Sequence, residues 1–396
     1  MIISGLNILV TTPHFPYPMI GGERIKLFNL IKHLSENNKL FLVSLDRGYE
    51  IRDEYVDVVK NLGIETFTYK INSLTATLKA GFFSIFRNPL EIEYFNNSGF
   101  NDKIKEIVSK HKIDLIINLF VRTAESVKSI PVKKILLAED CRSYYQKRTA
   151  DVTDKLFEKI RRNYDSKKLA KYESEIMNHF DITTVVTDDD LLQMRKLNSD
   201  AKIRIFSQGV DSEYFKPANP HESGQNILFL GKLDMLANIM MVRSLTENIF
   251  PLILQKLPSA KLIIAGSSPG SEILKLQSES IIINSNPNNI AECYQNSSIF
   301  IHPHQGGSGI QNKVLEAMSS GCVVITSPSG ANGIDIENGI NAYIANDYQE
   351  FAEIAVELLQ NPEKRQFIGN NARQYIIQNK SWKSELDNFD KIMYEL

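Results

Sequence analysis

Hydrophobic residues along this chain gather in short unbroken runs rather than in strict alternation with polar ones. In the first half the clearest are "LNILVTT" (6–12), "KLFLVSL" (39–45), "DLIINLF" (114–120), "KKILLAED" (133–140) and "DITTVVTDDD" (181–190). The second half adds "NILFLGKL" (226–233), "AKLIIAG" (260–266), "SIIIN" (280–284), "SSIFIHP" (297–303) and "CVVITS" (322–327). Such runs read as strands buried on both faces, the habit of parallel sheets covered by helices. Between them lie amphipathic stretches. In "RIKLFNLIKHLSENN" the spacing places Ile25, Phe28, Leu30, Ile31 and Leu34 near one helical face. Strand, Pro/Gly-rich loop, helix and strand in that order is the βαβ signature. Near 205–220 the texture turns to "IFSQGVDSEYFKPANPHESGQ", a linker, and the series then restarts. The pattern predicts two doubly wound α/β domains in tandem, with ligands held between the carboxyl ends of their strands.

A length of 396 residues suits two domains of roughly 100–200 each. With 43% apolar and 23% charged residues, the chain has material for substantial cores. Its net charge of −2 argues against a general nucleic-acid binder. Three cysteines (Cys141, Cys293, Cys322) and no CxxC pair set aside a disulfide framework and a cysteine-rich zinc site. The start reads as a strand rather than a signal peptide, and no apolar run approaches the ~18–20 residues of a membrane span. A cytoplasmic protein is expected, touching at most the inner face of the cell membrane.

Candidate chemistry concentrates in "HQGGSGIQNKVLEAMSSGCVVITS" (304–327), a glycine-rich loop, a helix with one glutamate, and a buried strand. Glycine-rich backbone from Gly306 to Gly309 lets a ligand approach closely, and Ile310 and Gln311 lead from it into the helix segment. The free N–H groups of the following helix favour a phosphate. Lys313 adds a point charge, and Glu316, three residues on, falls on much the same face. Glu139 and Asp140 end a strand, where a carboxylate serves either to orient a hydroxyl or to cap a helix. His14 and His304 are loop histidines able to hydrogen-bond a ligand. "TDDD" (187–190) reads as a helix start with first-turn acids rather than a metal motif. "HPH" (302–304) lacks a nearby Cys or acid to complete a metal site. Neither a metal nor a cofactor is expected.

These segments together resemble the retaining glycosyltransferases of family 4. The resemblance rests on "NILVTTPHFPYPMIGGERIKLFNLIKHL", "SQGVDSEYFKP", "ILFLGKLD", "GIQNKVLEAMSSGCVVITSPSGANGI" and the terminal "SWKSELDNFDKIMYEL", and is nearest a branch associated with bacterial exopolysaccharide synthesis. It implies the GT-B fold: two Rossmann-like domains, 1–205 for the acceptor and 206–378 for a nucleotide-sugar, facing a central cleft. A terminal helix, 379–396, crosses back to the first domain. It also implies transfer of a sugar from a nucleotide-diphosphate donor, UDP favoured, to a glycan or lipid-linked acceptor with retained configuration. Glu316 then accepts the ribose hydroxyls. Lys232 and Lys313 neutralise the diphosphate, with backbone of Gly21 and Gly22 approaching the same phosphates, and Arg24 and Lys26 as weaker helix-surface candidates. Two positions depart from the pattern: Ser308 stands where an acid often contacts the donor sugar, and Asn238 where a second lysine is frequent. These departures keep open two alternatives, a non-catalytic subunit of this fold and a nucleotide-sugar epimerase.

The segment 142–171 carries ten Lys/Arg against four Asp/Glu. Leu156, Ile160 and Tyr164 form an apolar stripe beside Lys155, Lys159, Arg161 and Arg162. Either the stripe packs on its own domain or the helix lies on anionic lipid. "LKAGFFSIFRNPL" (78–90) adds aromatics that read as exposed.

Overall fold

A computed structural model describes residues 4–46, 51–153, 155–218, 224–306 and 309–396, so Ser308 lies outside the described residues. The chain divides into two units, Met1–Ser207 with Leu386–Leu396, and Gln208–Glu385.

In the first unit the five apolar runs become β1 (Asn7–Thr12), β2 (Lys39–Asp46), β4 (Leu115–Leu119), β5 (Lys133–Glu139) and β6 (Ile182–Val185), joined by the polar β3 (Glu65–Lys70) and the short β7 (Ile203–Ile205), which the pattern does not mark. They form one parallel sheet in the order β3-β2-β1-β4-β5-β6-β7. The helices that carry the discussion here are α1 (Gly22–Ser35), α2 (Ser73–Phe83), α3 (Leu90–Phe95), α4 (Arg142–Val152), α5 (Leu156–Ile176) and α6 (Asp188–Leu197). Leu9, Phe41, Ile116 and Leu136 pack with Phe100 and Ile104 in the main core. Thr187 caps α6 by accepting from the Asp190 amide at 3.1 Å, so "TDDD" is a helix start.

The second unit repeats the plan with β8 (Asn226–Leu230), β9 (Lys261–Gly266), β10 (Ile281–Ser285), β11 (Ile299–His302), β12 (Val323–Thr326) and β13 (Tyr343–Ile344). Their order is β10-β9-β8-β11-β12-β13, again parallel. Counted from its own first strand, each sheet begins 3-2-1-4-5-6, the doubly wound order. Helices α7 (Leu236–Arg243), α8 (Ile290–Gln295), α9 (Asn312–Ser319), α10 (Pro362–Tyr375) and α11 (Trp382–Met393) belong to the second half of the chain. Alternate residues of β8 go to opposite faces: Ile227 and Phe229 join one core, Leu228 and Leu230 the other. Helix α9 buries Val314, Leu315, Ala317 and Met318 in that second core.

Helix α11 begins in the second unit and ends in the first. From Leu386 onward it packs like any core helix there: Phe389 is fully buried with its ring 4.6 Å from Phe206, and Asp390 meets His33 Nε2 at 3.0 Å.

The buried face of α1 differs from the expected one. Lys26 and Leu27 join Leu30, Ile31 and Leu34 inside, while Ile25 and Phe28 are only half-buried. Lys26 is drawn in by polar partners rather than by hydrophobicity, which periodicity alone does not register.

One close backbone approach sets the ends of β8 and β9. Gly266 has φ +152°, and a Cβ there would lie 1.7 Å from the carbonyl oxygen of Gly231. The Gly231 amide in turn donates to Ala265 O at 3.0 Å. Gly266→Ala is expected to destabilise the protein by about 2–4 kcal/mol in denaturant unfolding, because backbone rather than a flexible side chain must yield. Gly270→Ala, with open space around it, should stay within about 0.5 kcal/mol of wild type.

Candidate functional site

Strand order in the second sheet reverses between β8 and β11, so the loops leaving these two strands are neighbours. The loop after β8 carries Lys232; the loop after β11 carries His304 to Gln311 and runs into α9. Asn238, on α7, ties them together. Its Nδ2 donates to the carbonyl of Lys232 at 2.7 Å, and its Oδ1 accepts from Lys313 Nζ at 3.3 Å. Asn238 is 5% exposed, so both ends of a buried amide are satisfied by the two loops it joins.

Helix α9 starts at Gln311, which offers no side-chain cap to its first amides. Gly306 and Gly309 both take left-handed φ values, +81° and +83°, with open space where a Cβ would stand. Lys313 and Glu316 lie on the stripe of α9 opposite its buried residues, and both are half-buried. Glu316 Oε2 accepts from the Tyr294 hydroxyl at 2.9 Å, and that hydroxyl is also 3.3 Å from the Lys313 carbonyl. Among the described residues Oε1 of Glu316 has no hydrogen-bond partner. Burial pushes the Glu316 carboxyl up to about 7, against the Tyr294 hydroxyl and the Lys313 charge. The same burial lowers Lys313 below the ordinary lysine range, with Glu316 opposing. A carboxyl near neutrality and a weakened ammonium share one helix face.

Behind this face a column of rings supports the loop. His302 stacks on Phe300 at 5.7 Å and on His304 at 5.6 Å. Fully buried, His302 is pushed down to about 3 by desolvation, with Lys313 and His304 adding to the effect. It therefore stays neutral, with Nε2 3.4 Å from Gln311 Oε1. His304 is fixed through its carbonyl, which accepts from Ser327 and Ser329 at 2.5 and 2.7 Å. Ile310 packs against the core beneath α9. Lys232 is 55% exposed, with Asp234 at 3.5 Å.

In the first unit the sheet reverses between β1 and β4, and the loop after β1 carries His14 and Gly21 and enters α1 at Gly22. Gly21 has φ +91° at the start of α1, again with open space around it. His14 Nε2 lies 3.3 Å from Glu23, and with Arg24, Tyr17, Asp46 and Tyr55 these residues line a cavity of about 280 Å³. Burial raises the Glu23 carboxyl, with Arg122 opposing and the Glu139 charge adding.

Glu139 and Asp140 have different surroundings. At the end of β5 the register against β6 shifts, and Glu139 adopts φ +73°. Its Oε1 is held by Lys26 Nζ at 2.8 Å, and Lys26, 1% exposed, also donates to the Phe206 carbonyl at 2.6 Å. Lys26 is thus a buried structural cation, not a helix-surface candidate for phosphate. Asp140, half-buried, lies 3.6 Å from Arg142, and burial pushes its carboxyl up to about 6.

So the structure gathers Lys232, Gln311, Lys313, Glu316 and His304 in the second unit, and His14, Gly21, Gly22 and Arg24 in the first. Tyr294 and Glu23 escaped the sequence reading. Nothing in a tyrosine twenty-odd positions before Glu316 signals their bond, and Glu23 stands in the first turn of α1, where an acid is common for the helix dipole alone.

Residues 224–361 match the family model "Glycosyl transferases group 1". The chain is 23% identical over 390 residues, 94% of its length and 96% of the relative's, to a 44.6 kDa protein of the cps region of Klebsiella pneumoniae. It is 31% identical over 103 residues to a glycosyltransferase of Methanocaldococcus jannaschii, covering 25% of this chain and 26% of that one. Among solved structures, Anabaena HepE in complex with UDP superposes with TM-score 0.70 at 12% identity, over 99% of this chain and 100% of that one. Sucrose-phosphate synthase of Thermosynechococcus elongatus gives 0.70 at 13%, over 98% of each chain. The fold is that of the GT-B enzymes, two parallel-sheet Rossmann-like domains. Residues 224–361, within the second unit, carry the match to a group 1 glycosyltransferase domain, and the protein is a transferase.

Removing one partner of the Lys26–Glu139 pair leaves a charge in low dielectric. Lys26→Ala is expected to cost about 3–5 kcal/mol in denaturant unfolding. The double variant Lys26→Met with Glu139→Gln should recover at least about 1 kcal/mol of that loss, since it leaves no uncompensated charge.

Proposed function

We propose that the second unit binds a nucleoside-diphosphate sugar, with UDP the favoured carrier, and that the protein transfers the sugar with retained configuration to a glycan or lipid-linked saccharide. The observation that carries this reading is the single face of α9, where an uncapped helix start, Lys313 and a half-free Glu316 stand in line. The diphosphate occupies the helix start, with Lys313 and Lys232 opposing its charge. Glu316 accepts the two ribose hydroxyls, which a carboxylate does with both oxygens. Backbone at Gly309, Ile310 and Gln311 borders the sugar, and backbone around 285–294 meets the base.

Transfer then joins the acceptor oxygen to the anomeric carbon as the bond from that carbon to the phosphate oxygen breaks. The acceptor proton passes to the leaving phosphate on the same face. No metal or cofactor is required, because the cations and helix start stabilise the departing charge. Asp140 is the carboxylate suited to orient the acceptor hydroxyl; Glu139 is committed to Lys26. HepE crystallises with UDP and with UDP-glucose, which supports the choice of carrier. The near full-length likeness to a cps-region protein supports a role in bacterial surface polysaccharide synthesis. A lipid-linked acceptor would bring the enzyme to the inner membrane face through 142–171.

The test is thermal shift with UDP, GDP, ADP and CMP. At ~100 times its dissociation constant a ligand adds about 2.7 kcal/mol, a shift of a few degrees. UDP should stabilise wild type and lose most of its effect in Glu316→Ala; no shift with any nucleotide would refute the reading.

A pH series sharpens it. Because the folded-state pKa of Glu316 is raised to about 7, its ionised form is disfavoured in the free protein. Its contribution to stability is therefore most favourable below the unfolded value and declines as pH rises to about 7. Hydroxyl donors favour the ionised form, so UDP stabilisation should grow from pH 6 to pH 8. In Glu316→Gln that part of the growth should vanish, leaving only the titration of the nucleotide's own phosphate.

A further inference from the structure

Helix α2 is built inside out. Its buried residues are the small Ala76 and Ala80, while Leu74, Leu78 and Phe82, spaced four apart, are exposed. Ile85, Phe86 and Leu90 continue the exposed series. The first half of α5 does the same: Leu156, Ile160 and Tyr164 are exposed at the same spacing with Phe157 beside them, and burial starts only at Leu169. One further turn along that stripe stands Lys168. Its ammonium lies 5.9 Å over the Tyr164 ring and donates to the carbonyl of Ser84, between Phe82 and Ile85. The two apolar stripes therefore meet at the Lys168–Ser84 bond. At their tips Phe86 and Phe157 are 79% and 81% exposed.

Cations edge this surface. Lys79, Arg87, Lys155, Lys159, Arg161 and Lys167 are all exposed. Two carboxylates of α5 are already paired, Glu158 with Arg162 and Asp165 with Arg161. Among the described residues Lys155, Lys159 and Lys167 have no ion-pair partner. A contiguous apolar surface of this kind marks an interaction site rather than ordinary exposure.

We propose that this surface seats on an anionic lipid bilayer, its Leu and Phe side chains entering the headgroup boundary and its cations meeting the lipid charge. A second copy of the chain fits less well. A twofold contact would press the same cations against their own counterparts. Among the described residues no helix is long and apolar enough to cross a membrane, so the attachment is peripheral. The inference deepens the lipid-linked acceptor reading and rests on it for its biological sense, but its test does not need transfer activity.

Co-sedimentation with phosphatidylcholine vesicles, and with vesicles carrying 30% phosphatidylglycerol, tests it. Wild type should pellet with the anionic vesicles at low salt and remain in solution with the neutral ones. Phe86→Ser with Phe157→Ser, and separately Lys159→Glu with Lys167→Glu, should each lower binding about tenfold or more. All four side chains are exposed, so melting temperature and the UDP-induced shift should match wild type and certify folding. Absent binding by folded wild type, or binding unchanged in both variants, would overturn the proposal. So would a dimer in sedimentation velocity that the Phe double variant dissociates, which would assign the surface to self-association. A missing UDP shift would sink the donor reading alone and leave the vesicle result standing.

Discussion

Everything at the candidate site follows from a constraint on parallel strands. Each must be joined to the next by a crossover, and right-handed crossovers return the chain to the same end of the sheet each time. All strand-to-helix loops of a unit are thereby gathered at one end. Most neighbouring loops are separated by the helix that packs between them, but where strand order reverses, two loops are left side by side. In the second sheet these leave β8 and β11, far apart in sequence and adjacent in space. Only one hydrogen-bonding residue is then needed to make them a single surface, and Asn238 is that residue. The contact of Gly266 with Gly231 holds the β8 exit in place from the other side.

What could be read in the sequence follows the same division. Strands on both sides of the linker were legible because Ile, Val and Leu fill them without interruption, and the doubly wound class follows from their alternation with helices. The start of α9 was legible too, since a glycine-rich stretch before an amphipathic run marks a helix start. Contacts made across the sheet by single polar side chains were not. Lys26 looks like any helix cation, and only Glu139 and the Phe206 carbonyl, both distant in sequence, explain its burial. Tyr294 is hidden for the same reason. Helix α2 misleads in the opposite sense: its strong apolar pattern is real, but its large side chains face outward. Periodicity reports that a helix has two faces; it does not report which one meets the protein.

Glu139 and Asp140 show how a bulge can divide labour between adjacent carboxylates. The register shift at the end of β5 turns consecutive side chains out of the alternation a regular strand would impose. Glu139 takes a backbone conformation that costs about 1–3 kcal/mol for a non-glycine residue, and its bond to a buried lysine offsets that cost. Asp140 is left half-buried beside Arg142, its charge partly compensated and its carboxyl raised to about 6. A group in that state can accept from a hydroxyl at neutral pH without being locked in a strong pair.

The charge balance around α9 bears on why Asn238 serves where a second lysine would be frequent. A lysine there, 5% exposed, would need an anion to compensate it, and the charge of Glu316 already acts on Lys313. An amide satisfies both loops as a neutral donor and acceptor and leaves the ligand to supply the negative charge. Lys313 is held by a neutral oxygen at 3.3 Å rather than by a carboxylate. Lys232 meets Asp234 only at 3.5 Å and in water, where such a pair is worth about 0–1 kcal/mol. Neither cation is held by a strong ion pair. The site thus holds two cations, each outside a strong ion pair, while a neutral amide keeps the loop after β8 in register with α9.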